Sequence, residues 1–378
     1  MIYFDHNATT PIIPEVRNVI NEAMEKYWGN PSSAHSIGKE ALRELGRARI
    51  RLAGLLDVKP SEIYFTSGGT EADNIALIGC MKQYPRSHMV ISDIEHPAIT
   101  KASNALLYEH DIQCTRIPVD GKGCVQVSRL AESLMDRTKL ISVMYANNEI
   151  GTIQPIKEIG ELASKKNILF HSDAIQAFGK VPINIQKENI SLLSISSHKI
   201  YGPKGCGALY IKEGTLVLPC SYGGSQEHGL RVGTQNLPAV LGFVKSAEIA
   251  YENRDIEKKY LFGLTEFFYK KLTEKIENII RNGDPENRIP GTLNVSFPGT
   301  VSGMIVDSMN EIGICISGGA ACSSDSYEPS HVLTAIGRRK IEAISGVRFS
   351  LGRSNSEEEV NQATISLTEI ISELRDGN

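Results

Sequence analysis

Between about residues 60 and 215, short apolar runs alternate with segments of helical periodicity, and this alternation restricts the possible folds most. The runs are IYF at 63–65, MVI at 89–91, LISVMY at 140–145, ILFH at 168–171, LLSI at 192–195 and GALYI at 207–211. Apolar runs without polar alternation are typical of strands that are buried on both faces. The pattern therefore predicts an α/β fold whose largely parallel sheet is covered by helices.

The remainder of the chain predicts a second, smaller unit. Residues 239–280 form a long, charged helical pattern that is broken near Gly263, and the runs TLNVSF, GICIS and VRFSLG follow it. A chain of 378 residues is also longer than one hydrophobic core usually supports. We therefore expect a large domain over residues 14–250 and a smaller α+β domain formed by residues 1–13 and 251–378, which includes Cys322.

Charge and hydropathy exclude several classes of partner. The net charge of -4 gives no general attraction to nucleic acid or to an anionic membrane, so no direct nucleic-acid binding is expected. No run of about 18 apolar residues is present, and the start MIYFDHNATTP lacks the parts of a signal peptide. We therefore expect a cytoplasmic protein that does not contact a membrane.

The seven cysteines and nine histidines show no ligand spacing. The cysteine count is odd and includes no C-x-x-C pair, and the histidines form no H-E-x-x-H or H-x-H pair. Disulfide frameworks and zinc sites need such spacings. The sequence therefore predicts reduced thiols and no metal centre.

The segment IYFTSGGTEADNIALIG, at 63–79, predicts a strand, a glycine turn and an amphipathic helix. The backbone N–H groups of Gly68, Gly69 and Thr70 would face outward at the helix N-terminus, where the helix dipole favours an anion. The segment matches neither the dinucleotide-binding pattern nor the P-loop pattern. It predicts either a phosphate cup of another type or an ordinary helix cap.

In LLSISSHKIYGPKG, at 192–205, Lys199 follows a predicted strand directly. A lysine at the end of a buried strand can lose its proton by desolvation and act as a nucleophile that forms a Schiff base. Ser196 and His198 beside it supply further hydrogen-bonding groups. The alternative is a surface lysine in a loop.

Polar side chains also follow two other strands. Asp173 follows the run ILFH, and a carboxylate there could pair with the protonated nitrogen of a pyridine ring, or simply cap a helix. His96 lies between the run MVI and Pro97. An imidazole in that loop could stack on a planar ring and move protons near neutral pH, or it could be solvated.

These features belong to one α/β region. Ligands of such sheets bind outside the carboxyl ends of the strands, where the anion cup, the lysine, the carboxylate and the histidine would converge. Pyridoxal 5'-phosphate requires these four parts. The sequence therefore predicts a site for pyridoxal 5'-phosphate.

Along its whole length the sequence resembles the cysteine desulfurases of the iron–sulfur cluster type, within the class V aminotransferase group of pyridoxal phosphate enzymes. The resemblance rests on the ordered motifs YFDHNATTP (3–11), GNPSSAH (29–35), TSGGTEADN (66–74), EHPA (95–98), ANNEIGTIQP (146–155), HSDAIQAFGK (171–180), SSHKIYGPKG (196–205), GLRVGTQN (229–236) and VRFSLGR (347–353). It implies the fold type I of pyridoxal-phosphate-dependent transferases, with a large α/β domain and a smaller α+β domain.

The resemblance also implies roles for individual residues. Lys199 would hold the cofactor covalently, Asp173 would pair with its ring nitrogen, and His96 would stack on the ring and take part in proton transfer. The other implied contacts are Gln176 at the phenolate oxygen, Asn147 at the side of the ring, Gly69, Thr70, Ser196 and His198 around the phosphate, Thr234 from the second subunit of a homodimer, and Asn30 with Arg348 on the substrate carboxylate.

The implied reaction converts L-cysteine to L-alanine. Cys322, as a thiolate, would take the substrate sulfur as a persulfide and pass it to a protein acceptor. Iron–sulfur cluster assembly, nitrogenase maturation, tRNA thiolation and DNA sulfur modification all stay open as destinations. The alternatives are a selenocysteine lyase or a cysteine lyase of the same fold, and a non-catalytic scaffold for sulfur relay.

The sequence departs from the pattern of the family in the segment before Cys322 and at His228. The segment before Cys322 reads S-G-G-A-A-C where members often read S-S-G-S-A-C, and His228 stands where arginine is usual. The first difference alters the surroundings of the thiol, and the second changes a contact that arginine would make.

Overall fold

The computed structural model of the chain describes residues 1–319 and 328–376. Its strands are β1 (Ile2–Tyr3), β2 (Ile63–Thr66), β3 (His88–Ser92), β4 (Gln113–Ile117), β5 (Thr138–Ser142), β6 (Leu169–Asp173), β7 (Leu192–Ser196), β8 (Gly207–Ile211), β9 (Ile280–Asn282), β10 (Thr292–Ser296), β11 (Ile314–Cys315) and β12 (Gly346–Ser350). Its helices are α1 (Pro14–Lys26), α2 (Ser36–Leu56), α3 (Gly69–Met81), α4 (Pro97–His110), α5 (Val127–Ser133), α6 (Ile156–Lys165), α7 (Leu237–Lys275), α8 (Ser302–Glu311), α9 (His331–Ala335), α10 (Lys340–Ala343) and α11 (Glu357–Asp376).

A seven-stranded sheet forms the centre of the protein. Its strand order is β2-β8-β7-β6-β5-β3-β4. The pairs from β7 through β6, β5 and β3 to β4 are parallel, and β8 runs antiparallel to both of its neighbours. The predicted α/β class with a mainly parallel sheet is therefore confirmed.

Helices cover both faces of this sheet, as the uninterrupted apolar runs predict. On β3, Met89 and Ile91 pack with residues of α3 and α4, whereas Val90 belongs to the cluster on the opposite face with residues of α2 and α7. Neighbouring residues of a strand point to opposite faces of the sheet. A strand between two layers of helices therefore has apolar residues at consecutive positions. Within residues 1–319 and 328–376, no helix is both long enough and apolar enough to cross a bilayer.

The second half of the chain builds another hydrophobic core. An antiparallel sheet of order β12-β10-β9 packs with α8, α11 and the end of α7, and Phe268 contacts the rings of Phe4 and Phe349 within this core. The N-terminus belongs to the same core, because β1 pairs with β11 in parallel. The boundaries of the two domains at residues 13/14 and 250/251 stay a prediction.

Helix α7 connects the two cores without a break. Its residues Leu237 to Ala250 include the side chains buried against the large sheet, and Leu261 to Leu272 include those buried in the second core. The predicted break near Gly263 is therefore wrong. Gly263 is exposed inside the helix, and a Cβ atom at this position would have no neighbour within 4 Å.

The direction of the strands decides where the polar side chains meet. Asp173 is the last residue of β6, Ser196 is the last residue of β7, and His96 follows β3 in the connection to α4. Since β3, β5, β6 and β7 are parallel neighbours, their carboxyl ends lie at one edge of the sheet. The fold thus brings together residues that are about a hundred positions apart in the sequence.

Alanine substitution should change the stability of the protein in opposite directions at two glycines that lie in helices, Gly263 and Gly160. Gly263→Ala should raise the free energy of unfolding by about 0.5–1 kcal/mol, because alanine loses less backbone entropy than glycine in a helix. Gly160→Ala is the matched variant in α6, where a Cβ would lie 1.8 Å from the backbone oxygen of Glu188. It should lower the unfolding free energy by about 1–3 kcal/mol. Urea unfolding of both variants checks this, and a loss of stability in Gly263→Ala would contradict the continuous helix.

Candidate active site

A cavity of about 310 Å³ opens at the carboxyl edge of the sheet. This volume falls within the range of small-molecule sites. Many of its lining residues were predicted from the sequence, namely Gly69, Thr70, His96, Asp173, Gln176, Ser196, His198, Lys199 and Arg348. Pro97, Met144, Ala146 and Ile175 supply apolar wall, so polar groups and flat apolar surface face one space.

Lys199 lies in a short 3₁₀ turn, Ser197–Lys199, immediately after β7. Its Nζ donates to the backbone oxygen of Asn7 at 2.6 Å and to that of Ala8 at 2.7 Å. The N-terminal segment therefore fixes the amine at the floor of the cavity. An amine held by carbonyl oxygens keeps its position before any ligand enters.

Asp173 presents a carboxylate one strand away from Lys199. The backbone N–H of Ile175 donates to its Oδ1 at 2.9 Å. Burial raises the pKa of Asp173 to about 6, although this hydrogen bond and the charge of Lys199 act in the opposite direction. A carboxylate in this state suits a partner that brings a proton, such as a pyridine nitrogen.

His96 is the N-cap of α4, and Pro97 occupies the first helical position, where its missing N–H costs nothing. The backbone N–H of Ala98 donates to His96 Nδ1 at 3.1 Å, so the ring proton of the neutral imidazole lies on Nε2. Burial lowers the pKa of His96 to about 4, and the charge of Lys199 adds to the effect. At neutral pH the ring is therefore uncharged and can transfer a proton at Nε2.

The predicted phosphate cup lies at the start of α3. The first helical N–H groups, from Gly69 onward, have no partner inside the helix, and the Ser196 Oγ beside them is buried without a hydrogen-bond partner in the described chain. A Cβ on Gly69 would lie 2.0 Å from Ile175 Cδ1, so glycine leaves room for the Ile175 side chain at the start of the helix. The alternative prediction, an ordinary helix cap, is met only in part. The Glu71 carboxylate accepts from the backbone N–H of Ser67, but no side chain caps the helix at Gly68.

His198 completes the polar side of the cup. Its Nδ1 lies 3.2 Å from Thr9 Oγ1, which orients the ring. Burial lowers the pKa of His198 to about 4, and the charges of Lys199 and Lys204 lower it further. A neutral imidazole, an orphaned hydroxyl and free helical N–H groups form a donor set that fits a phosphate group.

Arg348 faces the cavity from β12 of the second core and is only 1% exposed. Its Nη2 pairs with Asp5 Oδ1 at 2.7 Å, and its Nη1 donates to the backbone oxygen of Asn148 at 3.0 Å. The Nε is buried and finds no acceptor in the described chain. The guanidinium therefore has donor capacity directed at the site, as a carboxylate-binding arginine requires.

The predicted residue Asn147 makes hydrogen bonds to the backbone in and near its own loop. Asn147 does not line the cavity, because its amide is used by the backbone: Nδ2 donates to Ile94 O at 3.0 Å, and Oδ1 accepts from the N–H groups of Glu149 and Ile150. The next residue, Asn148, lines the cavity instead. Asn147 thus shapes the loop that carries Asn148, and its contact at the side of the ring stays a prediction.

Other predicted residues lie away from this cavity. Asn30 is exposed and its Oδ1 accepts from the backbone N–H of Ser32, and Thr234 is exposed in the segment before α7. Neither lines the cavity of its own chain. His228 is exposed as well and contacts the edge of the Tyr64 ring. Cys322 lies outside the described residues.

Asn7 is a residue of the site that the sequence analysis missed. It is 3% exposed and lines the cavity, and its backbone oxygen accepts from both Lys199 Nζ and Gln176 Nε2, the latter at 2.8 Å. Its own Nδ2 donates to Thr292 Oγ1 at 2.8 Å. The only sequence signal was its place in the motif YFDHNATTP.

A second layer of buried groups supports Asp173. His171, two residues earlier on β6, lies within 2.8 Å of Ser142 Oγ and 3.0 Å of Ser194 Oγ, and its Nε2 is 3.7 Å from Asp73 Oδ1. Burial lowers the pKa of His171 to about 3 and raises the pKa of Asp73 well above its usual range. The His171 imidazole is therefore neutral at pH 7, and burial favours the neutral form of the Asp73 carboxyl as well.

Comparisons with known proteins agree with this geometry. The family model of the class-V aminotransferases matches residues 2–363 of the chain. The chain therefore belongs to the class-V aminotransferase family, and the resemblance drawn from its motifs is confirmed.

Several similar proteins are named cysteine desulfurases, and solved structures of other members match the whole fold. A protein of Methanosarcina thermophila named cysteine desulfurase IscS is 42% identical over 376 residues, which cover 99% of this chain and 93% of that protein. A NifS-like protein of known structure superimposes with a TM-score of 0.91 at 34% identity, covering 98% of this chain and 99% of that one. The structure of SspA in complex with cysteine matches at 34% identity with a TM-score of 0.80, covering 93% of this chain and 99% of that one.

His171 should make the stability of the protein fall in acid. Its folded pKa of about 3 lies below the ordinary value of 6.5, so the unfolded chain binds the extra proton between these pH values. The contribution of His171 to the free energy of unfolding is therefore fully present above pH 6.5. Below this pH it falls by about 1.4 kcal/mol per pH unit. From pH 7 to 5, urea unfolding should show about 2 kcal/mol more loss in the parent than in His171→Gln. Equal losses would contradict the neutral, buried imidazole.

Proposed function

We propose that this chain is a pyridoxal-5'-phosphate-dependent cysteine desulfurase, which converts L-cysteine to L-alanine and retains the sulfur on Cys322 as a persulfide. The observation that carries the proposal is the convergence of Lys199, Asp173, His96 and the cup at Gly69 on one cavity. The cysteine desulfurases among its relatives and the neighbour solved with cysteine support the reaction and the substrate.

The donor set decides where the cofactor would bind. The phosphate would lie against Gly69, Thr70, Ser196 and His198, because these groups can donate to an anion at the start of α3. Asp173 would pair with the ring nitrogen, Gln176 and Asn148 would face the ring oxygen and its surroundings, and Lys199 would form the covalent link. When bound, pyridoxal phosphate supplies an electron sink that stabilises negative charge at the substrate Cα.

Proton transfer would be performed by the chain itself. Lys199 Nζ, which is held at the floor of the cavity, would remove the proton from Cα. His96 would transfer a proton at Nε2, since its Nδ1 is engaged by the N–H of Ala98 and its low pKa keeps the ring neutral. Desolvation by the apolar wall strengthens these interactions.

Arg348 would bind the substrate carboxylate. Its guanidinium lines the cavity, and its pairing with Asp5 orients the planar group before the substrate arrives. The expected partner Asn30 lies outside the cavity of its own chain, so its role as a substrate contact depends on the dimer. Thr234, which is exposed, would likewise reach the phosphate of the second subunit in a homodimer.

Cys322 would act as a thiolate on the substrate sulfur. The Cβ–Sγ bond of cysteine breaks, an S–S bond to Cys322 forms, and the electron pair of the broken bond stays on carbon, which becomes the methyl group of alanine after protonation. The atoms and electrons of L-cysteine and the Cys322 thiol are all accounted for in L-alanine and the Cys322 persulfide. The reaction therefore needs no external oxidant. The persulfide then passes to a protein acceptor.

The role of Cys322 separates this proposal from the lyases. In Cys322→Ser the hydroxyl cannot accept sulfur, so alanine formation from cysteine should fall at least about 100-fold while the absorbance of the bound cofactor stays. Alanine release and the spectrum of the purified variant measure this. Turnover at the parent rate would instead support a selenocysteine lyase or a cysteine lyase.

The role of Lys199 separates an enzyme from a scaffold. The purified or reconstituted parent should be yellow, and borohydride should bleach it and fix the cofactor to the chain. Mass spectrometry should place the adduct on Lys199, and Lys199→Ala should carry none, whereas the exposed Lys212→Ala should behave like the parent. A colourless protein that cannot be reconstituted would support the scaffold.

A further inference from the structure

Lys180 is the last residue of the segment HSDAIQAFGK and has no role in the mechanism above. Its Nζ donates to Gln176 Oε1 at 3.0 Å and to Asn7 Oδ1 at 3.4 Å. Both acceptors belong to residues that also contact each other, since Gln176 Nε2 donates to Asn7 O at 2.8 Å. Lys180 thus forms a closed polar network directly behind the cavity.

This network determines which end of the Gln176 carboxamide faces the cavity. Lys180 Nζ donates in both of its contacts, so the end of the amide that accepts hydrogen bonds, its oxygen, points to Lys180. The Asn7 carbonyl is an acceptor only, so the nitrogen must point to it. Lys199 Nζ donates to the same Asn7 oxygen at 2.6 Å, which places the NH₂ group of Gln176 on the side of Lys199.

We propose that Lys180 is a positioning residue for the cofactor, which holds the Gln176 carboxamide with its NH₂ group toward Lys199 and the oxygen of the cofactor ring. This inference rests on the proposed function. Without Lys180, the amide oxygen loses its buried donor and only the Asn7 carbonyl holds the carboxamide. The NH₂ group is then less firmly fixed toward the ring oxygen.

The surroundings of Lys180 argue against a role in stability. In the described part of the chain, no carboxylate forms an ion pair with Lys180. The charges that lower its pKa are those of the cations Lys199 and Arg348. Burial and these charges lower the pKa of Lys180 to about 7. A lysine in such a place weakens folding rather than supports it, so its presence needs another reason.

The experiment is a double-mutant cycle on the affinity of the apoprotein for pyridoxal 5'-phosphate, measured by fluorescence titration. Lys180→Met should weaken binding by about tenfold in the parent, which corresponds to the loss of one charge-supported hydrogen bond. In a Gln176→Leu background the same change should alter the affinity less than about twofold. Lys180→Arg, which keeps a cationic donor, should restore the affinity to within about threefold of the parent.

Controls separate positioning from folding. Urea unfolding of apo Lys180→Met should match the parent or exceed it, and Lys165→Met, at an exposed lysine near the end of α6, should leave the affinity unchanged. An equal loss of affinity with and without Gln176, or no loss at all, would overturn the inference.

The design also distinguishes this inference from the proposed function. If the parent apoprotein binds the cofactor through Lys199 and forms alanine but Lys180→Met behaves like the parent, the inference alone is wrong. If the parent binds no pyridoxal phosphate, the proposed function is wrong and the inference is rejected with it.

Discussion

The common direction of β3, β5, β6 and β7 is the constraint on which the candidate site depends. Parallel pairing places all four carboxyl ends at one edge of the sheet, and each end leads into a residue of the cavity wall, such as His96, Asp173 or Lys199. Helix α3 begins at the same edge, so its N-terminal N–H groups face the same space. An antiparallel order would send alternate strand ends to opposite sides and would divide the phosphate cup from the lysine.

Burial then sets the charge of the site. It lowers the pKa of His96 and His198 to about 4 and raises that of Asp173 to about 6. In each case burial stabilises the uncharged form of the side chain relative to the charged form. The guanidinium of Arg348 supplies positive charge to the same cavity. Asp173 is the one carboxylate among the described residues that line the cavity, so a ligand with a phosphate or a carboxylate meets little other negative charge there.

The sequence predicts most of this arrangement, and its failures have physical reasons. The apolar runs predicted β2, β3 and β5 to β8, but β4 is an edge strand of sequence QCTRI with exposed positions, so it lacks the continuous apolar pattern. The strand-end residues were found because strand and loop alternate regularly. Asn148, which lines the cavity, was not singled out, since neighbours in a loop have no periodicity that tells which side chain faces the cavity. Asn7 was missed because it contacts Lys199 across 192 positions of the chain.

These long-range contacts make the N-terminal segment a physical link between the two cores. Asp5 pairs with Arg348 on β12, Asn7 donates to Thr292 on β10, and the carbonyl oxygens of Asn7 and Ala8 hold Lys199 at the end of β7. The substrate carboxylate would bind the Arg348 guanidinium that Asp5 already orients. Any shift of the second core relative to the large sheet would therefore move the carboxylate-binding group and the amine together, because one short segment holds both. The distance between these two groups is protected by the segment, and that distance decides whether Cα of a bound amino acid lies within reach of Lys199.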